Sequence, residues 1–108
     1  MTCRKQNLVM ENKLPTANYP SLKGRVVIIT GGGQALGRTY AHEFAAQGAI
    51  PVIAELNVEN GNRVVQEIEQ KGGKAICVQT DVSQEADTNA MAEAALSAFG
   101  RIDCLINN

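Results

Sequence analysis

Gly31, Gly32, Gly33 and Gly37 follow the apolar run Val26, Val27, Ile28, Ile29 after a single threonine, Thr30, and open into a stretch with helical spacing. A strand feeding a glycine turn and then a helix aims free backbone N–H groups, and the positive end of a helix dipole, at one point. Glycines there also remove Cβ atoms that would hold a phosphate at a distance. The chemistry implied is capture of a phosphate or pyrophosphate group. A glycine-rich turn without a ligand is the plainer alternative, because loose matches to G-x-G-x-x-G are common. The context counts against it. Glu55 ends the next strand pattern, where a carboxylate accepts hydrogen bonds from the ribose hydroxyls of an adenosine. No G-K-[ST] follows the glycines to place a lysine on β- and γ-phosphates, which argues against a nucleoside triphosphatase.

These residues need elements to position them, and the sequence alternates strand and helix patterns from Leu22 onward. Residues 25–30 read as a strand covered on both faces. Residues 34–47 read as a helix with Leu36, Tyr40 and Phe44 inward beside Ala41 and Ala45, stopped by Gly48. A strand follows at 50–55, with Pro51 near its opening, where a ladder donor can be spared. Asn57 then caps a helix over 58–71 that turns Gly61, Val64, Val65 and Ile68 to one side. Residues 74–80 form the third strand. Ser83 is expected to cap a third helix, running to Phe99, with Thr88, Met91, Ala92, Ala95 and Phe99 inward and Gly100 as its stop. Residues 102–108 close the series as β-α-β-α-β-α-β.

With crossovers on either side of strand 1, their right-handedness puts the first two helices on one face of a parallel sheet and the third on the other. Strand 1 is therefore expected to keep apolar side chains partly uncovered, and strand 4 to present an apolar edge. Residues 1–21 carry Pro15 and Pro20, lack periodicity, and read as a flexible extension with one candidate helix around 9–14.

At 108 residues and 44% apolar, the chain holds one domain at most, with material for a packed core. Ten Lys+Arg against eleven Asp+Glu give a net charge of −1, with no like-charge block to attract nucleic acid or a membrane surface. Cys3, Cys77 and Cys104 are widely spaced, and the last two lie in apolar runs as small hydrophobes. Their pattern suggests neither metal nor disulfide, and a reducing cytoplasm is the expected setting. His42, the single histidine, is expected on a solvent-facing helix position rather than in catalysis. No run of 18 apolar residues marks a membrane span, and the polar N-terminus lacks the apolar core of a secretory signal.

With these residues in view, "LKGRVVIITGGGQALGRTYA" resembles the opening of the short-chain dehydrogenase/reductases, with T-G-x-x-x-G-x-G at 30–37. "TDVS" at 80–83 is similar to the family's adenine-contacting Asp-Val, and "RIDCLINN" to the strand leading into its N-N-A-G motif. The resemblance runs from Leu22 to Asn108. It implies an incomplete Rossmann-type doubly wound sheet of strand order 3-2-1-4, the N-terminal part of an enzyme moving a hydride between NAD and an alcohol or ketone. Cofactor contacts are implied at Gly31, Gln34, Ala35, Leu36, Gly37, Glu55, Asp81, Val82 and Asn108, with Asp81 on the adenine amino group and Val82 against the ring. The full-length form is expected to be a homo-oligomer.

Two departures stand out. Ala35 replaces the middle glycine, and is expected to be tolerated with a helical φ because Gly31 and Gly37 keep the turn. The family's catalytic Ser and Tyr-x-x-x-Lys lie beyond its N-N-A-G motif, so no catalytic residue is carried over and the chain alone is expected to be inactive. Tyr19 precedes Lys23 by the right interval, but in the polar lead-in. A non-catalytic nucleotide-binding or interaction module is the alternative. It would call for a sealed edge on strand 4, whereas Cys104, Leu105 and Ile106 are apolar.

Overall fold

Val26–Thr30 forms β1, which is paired on both sides, and all its residues are buried. The structure, a computed structural model, describes residues 17–108, so the helix expected around 9–14 lies outside the described residues. The strands β1, β2 (Ile50–Glu55), β3 (Ile76–Gln79) and β4 (Cys104–Ile106) run parallel in the order β3-β2-β1-β4. Between them lie α1 (Ala35–Ala46), α2 (Val58–Gln70) and α3 (Glu85–Phe99). The expected strand order and alternation are both present. Among these residues no helix is long and apolar enough to cross a membrane.

Successive strand residues point to opposite faces, and the core divides accordingly. Val27, Ile29 and Ile53 meet Ala41 of α1 and Val64 and Ile68 of α2 on one face. Val26, Ile28, Val52 and Ala54 meet Met91 and Ala95 of α3 on the other. The expectation that β1 stays partly uncovered is corrected: Val26 is 0% and Ile28 2% exposed. Ala95, a small residue, lets α3 lie close enough to close that face alone, with Ile50, Ile76, Val78 and Phe99 filling in around it. The shortage of cover falls on β4, where Leu105 is 55% exposed and Cys104 is exposed as well.

Helix α1 also corrects the sequence reading. Its buried positions are Gly37 and Ala41, while Leu36 is 61% exposed. The missing Cβ of Gly37 lets the helix backbone approach β1, which sets the rotation of the helix and swings Leu36 outward. Asn57 caps α2 as expected, its Oδ1 accepting from the N–H groups of Glu59 and Asn60 at 3.1 and 3.2 Å. Ser83 caps nothing. Gln84 holds the cap position of α3 without a side-chain bond, because the Ser83 hydroxyl donates to Asp81 Oδ1 at 2.6 Å instead. Gly100 ends α3 in the left-handed region, φ +76.

One carboxylate ties β4 to β1 ahead of the ladder. Asp103 Oδ2 accepts from the buried Val26 N–H at 2.9 Å, and Arg25 and Arg101 both bond the same carboxylate. The Arg101 guanidinium foremost, then the Val26 N–H and Arg25, hold the Asp103 carboxyl well below the usual range.

His42 does not face solvent freely, which corrects another expectation. Its Nε2 lies 2.8 Å from Glu67 Oε1, and Arg38 donates to the same carboxylate from two nitrogens at 2.9 and 3.0 Å. Arg38, with His42 second, lowers the Glu67 carboxyl from 4.5 to about 2. A carboxyl depressed by folding stabilises the protein fully above its unfolded value, and that contribution is lost as pH falls toward the folded one. Wild type and Glu67→Gln are therefore expected to differ in melting temperature at neutral pH and to converge between pH 4.5 and 2. A gap that persists unchanged to pH 2 would show that the ion pair does not link α1 to α2.

Candidate functional site

The carboxyl ends of the strands carry the chemistry. Thr30 closes β1 with its hydroxyl accepting from the Asn108 N–H at 2.9 Å, which draws the end of the β4 segment beside the glycine turn. Gly31, at φ +65, donates to the Ala54 carbonyl at 2.7 Å, so the turn begins still paired to β2. A Cβ on Gly37 would overlap the Gly31 carbonyl oxygen and come within 2.8 Å of Asn108 Nδ2. The first turn of α1 thus rests on the loop, backbone against backbone. Gln34 precedes that helix in extended conformation and gives it no side-chain cap. The N–H groups of Ala35, Leu36 and Gly37, in the first turn, have no partner within the helix.

Ala35 departs from the helical φ expected of it and sits at φ +52. The methyl group meets backbone oxygen in this region, at a cost of roughly 1–2 kcal/mol that glycine avoids. The loop imposes the conformation, because the chain must reverse between the end of β1 and the start of α1. Ala35→Gly is expected to stabilise the folded chain by roughly 1 kcal/mol, somewhat offset by the freer unfolded state. Thermal or urea melts would register this. A loss of stability in the glycine variant would contradict the strained assignment.

Gly31, Glu55, Asp81, Val82 and Asn108 line one cavity of about 200 Å³ between the ends of β1, β2 and β3. Thr30, Ala54, Leu56 and Thr80 complete its wall. Thr30 and Thr80 carry a signal in the sequence, as the first residues of the glycine motif and of TDVS; Ala54 and Leu56 carry none. Gln34, Ala35, Leu36 and Gly37 do not line this cavity; they form the loop–helix junction beside it. Val82 presents an exposed apolar surface. Asp81 accepts from the Ser83 N–H and hydroxyl on Oδ1, and these two bonds lower its carboxyl below the ordinary value. Glu55 is only 5% exposed, with Oε1 accepting from Gly33 N–H and Oε2 from Asn57 N–H, both at 3.0 Å.

A larger cavity of about 390 Å³, lined by Tyr19, Leu22, Phe44 and Gln47, lies where α1 ends. Helix α1 runs back against the strands, so that cavity is at the opposite end of the sheet. It holds no glycine loop and one charged residue, Glu43, so the smaller cavity is the candidate site. Tyr19 and Lys23 belong to that far end too, with the Tyr19 N–H bonded to Gln47 Oε1 at 2.7 Å.

The chain is 40% identical over 87 residues to 7alpha-hydroxysteroid dehydrogenase of Escherichia coli (strain K12), covering 81% of this chain and 34% of that one. It superposes with TM-score 0.72 on a 3-ketoacyl-(acyl-carrier-protein) reductase from Brucella melitensis complexed with NADH, at 44% identity over 78% of this chain and 33% of the other. A short chain dehydrogenase/reductase from Burkholderia phymatum in complex with NAD gives TM-score 0.76 at 38% identity, over 78% and 30%. The chain thus spans about a third of the length of these relatives. The short chain dehydrogenase pattern itself matches residues 25–108, from the base of β1 to the last asparagine. On sequence, strand order and the strand–glycine turn–helix junction together, the chain belongs to the short-chain dehydrogenase family.

Proposed function

We propose that residues 22–108 form the adenosine- and pyrophosphate-binding part of an NAD-dependent oxidoreductase. Its whole chain would move a hydride between the nicotinamide and the alcohol or ketone carbon of a small-molecule substrate. The observation that carries this reading is the cavity that gathers Glu55, Asp81 and Val82 beside the glycine loop at the carboxyl ends of the strands.

The residues fit the cofactor in kind. The uncapped first turn of α1 offers N–H groups to a pyrophosphate. Val82 and Leu56 offer apolar surface to a flat base, and Asp81 an acceptor for an amino group. When bound, NAD would supply the hydride acceptor. This part of the chain holds and orients the adenosine half, leaving the acid–base group to residues outside 22–108. The open β4 edge favours this reading over a stand-alone module, because a self-contained module would close it. A cytoplasmic, homo-oligomeric full-length enzyme that binds neither nucleic acid nor membrane completes the proposal.

The chain should prefer NAD to NADP. Arg38 is drawn to Glu67 through Nε and one terminal nitrogen, and Leu56, next to Glu55, carries no charge to hold a 2′-phosphate. Titration of both nucleotides by calorimetry at low salt should show NAD binding at least about tenfold tighter, a difference of ~1.4 kcal/mol. Asp81→Ala should weaken NAD binding while leaving the melt nearly unchanged. Equal or tighter NADP binding would sink the preference, and unchanged NAD affinity in the alanine variant would sink the adenine assignment.

A further inference from the structure

We propose that Glu55 is a positioning residue for the glycine loop, its carboxylate fixing the loop in phosphate-receiving shape before a nucleotide arrives. A carboxylate this far out of water needs partners. Glu55 has two, and both are backbone N–H groups from other elements: Gly33 in the loop and Asn57 at the head of α2, each at 3.0 Å. The fit is close. A Cβ on Gly33 would come within 2.8 Å of Glu55 Cγ and Oε1 and 2.9 Å of the Gly61 nitrogen.

Glu55 is itself held, pairing with Gln79 in β3 and accepting the Thr80 N–H on its carbonyl at 3.1 Å. Asn57, whose N–H it takes, also caps α2 with its side chain. One carboxylate therefore couples β2, the loop and the start of α2. The other ties on the loop hold its two ends: Gly31 N–H to the Ala54 carbonyl and Asn108 Nδ2 to the Gly31 carbonyl at 3.4 Å, and Asn60 Nδ2 to Gln34 Oε1 at 3.3 Å. Without the Gly33 bond the segment between them is free to turn its amides away. The consequence for binding rests on the nucleotide reading above, whereas the clamp itself does not.

The test separates the two. Hydrogen–deuterium exchange on residues 1–108, without nucleotide, should show the Gly33 amide protected in wild type. In Glu55→Gln, where an NH₂ group faces one of the two donors, it should exchange roughly tenfold faster or more, with β1 unchanged. Calorimetry with ADP and with adenosine then asks where affinity is lost. A positioning role predicts about a tenfold loss for ADP, the order of one charge-assisted hydrogen bond, and a clearly smaller loss for adenosine, which has no phosphate. Equal losses for both would mean a ribose contact only and would overturn the proposal, as would unchanged loop exchange. If Glu55→Gln does not fold, protection of the wild-type loop supports the clamp and free exchange overturns it. Wild-type protein that shows the protection but binds no ADP would sink the nucleotide reading and leave the clamp standing.

Discussion

Gly37→Val is expected to leave the chain without a cooperative fold. The Cβ alone would overlap the Gly31 carbonyl oxygen and lie 2.7 Å from its carbon. Valine adds two further carbons with one strongly preferred rotamer in a helix, so the clash cannot turn aside. Both partners in the collision are backbone, which leaves a shift of α1 as the only relief. That shift would lift Ala41, which is fully buried, and Phe44 from the core they share with Val27 and Ile53. Overpacking typically costs about 1–3 kcal/mol. Here a lost helix contact is added, against a total stability of ~5–15 kcal/mol for a whole domain. Circular dichroism melts of wild type and variant would decide. A Gly37→Val protein that melts cooperatively near the wild-type temperature would show that α1 does not rest on the glycine turn.

Residues 1–108 alone are expected to self-associate in a concentration-dependent way. Among the described residues, strand β4 pairs with β1 on one side and has no strand on the other. Leu105, level with Ile28 in the parallel register and so on the α3 side of the sheet, is left more than half exposed. Leu96 of α3 and Ile102 before β4 are exposed too. Fully burying one such side chain is worth roughly 1.5–3 kcal/mol, a sizeable reward for a second copy that covers the edge. An unpaired strand also offers its backbone donors and acceptors to another chain. Sedimentation velocity over a hundredfold concentration range should show larger species growing in. Leu105→Lys, which places a charge on that edge, should shift the distribution toward monomer. A wild-type chain that stays monomeric throughout would contradict the assignment of this edge as a site of association.

What the sequence could determine by itself was local. The glycine turn, the Asn57 cap, the Gly100 stop and the inward stripe of α3 each depend on residues a few positions apart, whose spacing is the signal. The sheet order was legible as well, but only through the family resemblance, because crossover handedness alone leaves more than one way to wind alternating strands and helices. Tertiary structure decided the rest. Glu55 marked a ribose site in sequence, yet its carboxylate is taken up by Gly33, 22 residues away, and by Asn57. Asp103 gave no signal at all, and it satisfies a buried N–H 77 residues distant. His42 looked solvated until α2 brought Glu67 to it. The left-handed φ of Ala35 follows from how the loop must reach α1, and the burial of β1 from how closely α3 can approach. In each case the deciding partner lies on another element, and hydrogen-bond distance depends on where the backbone passes, which residue types and spacing do not encode.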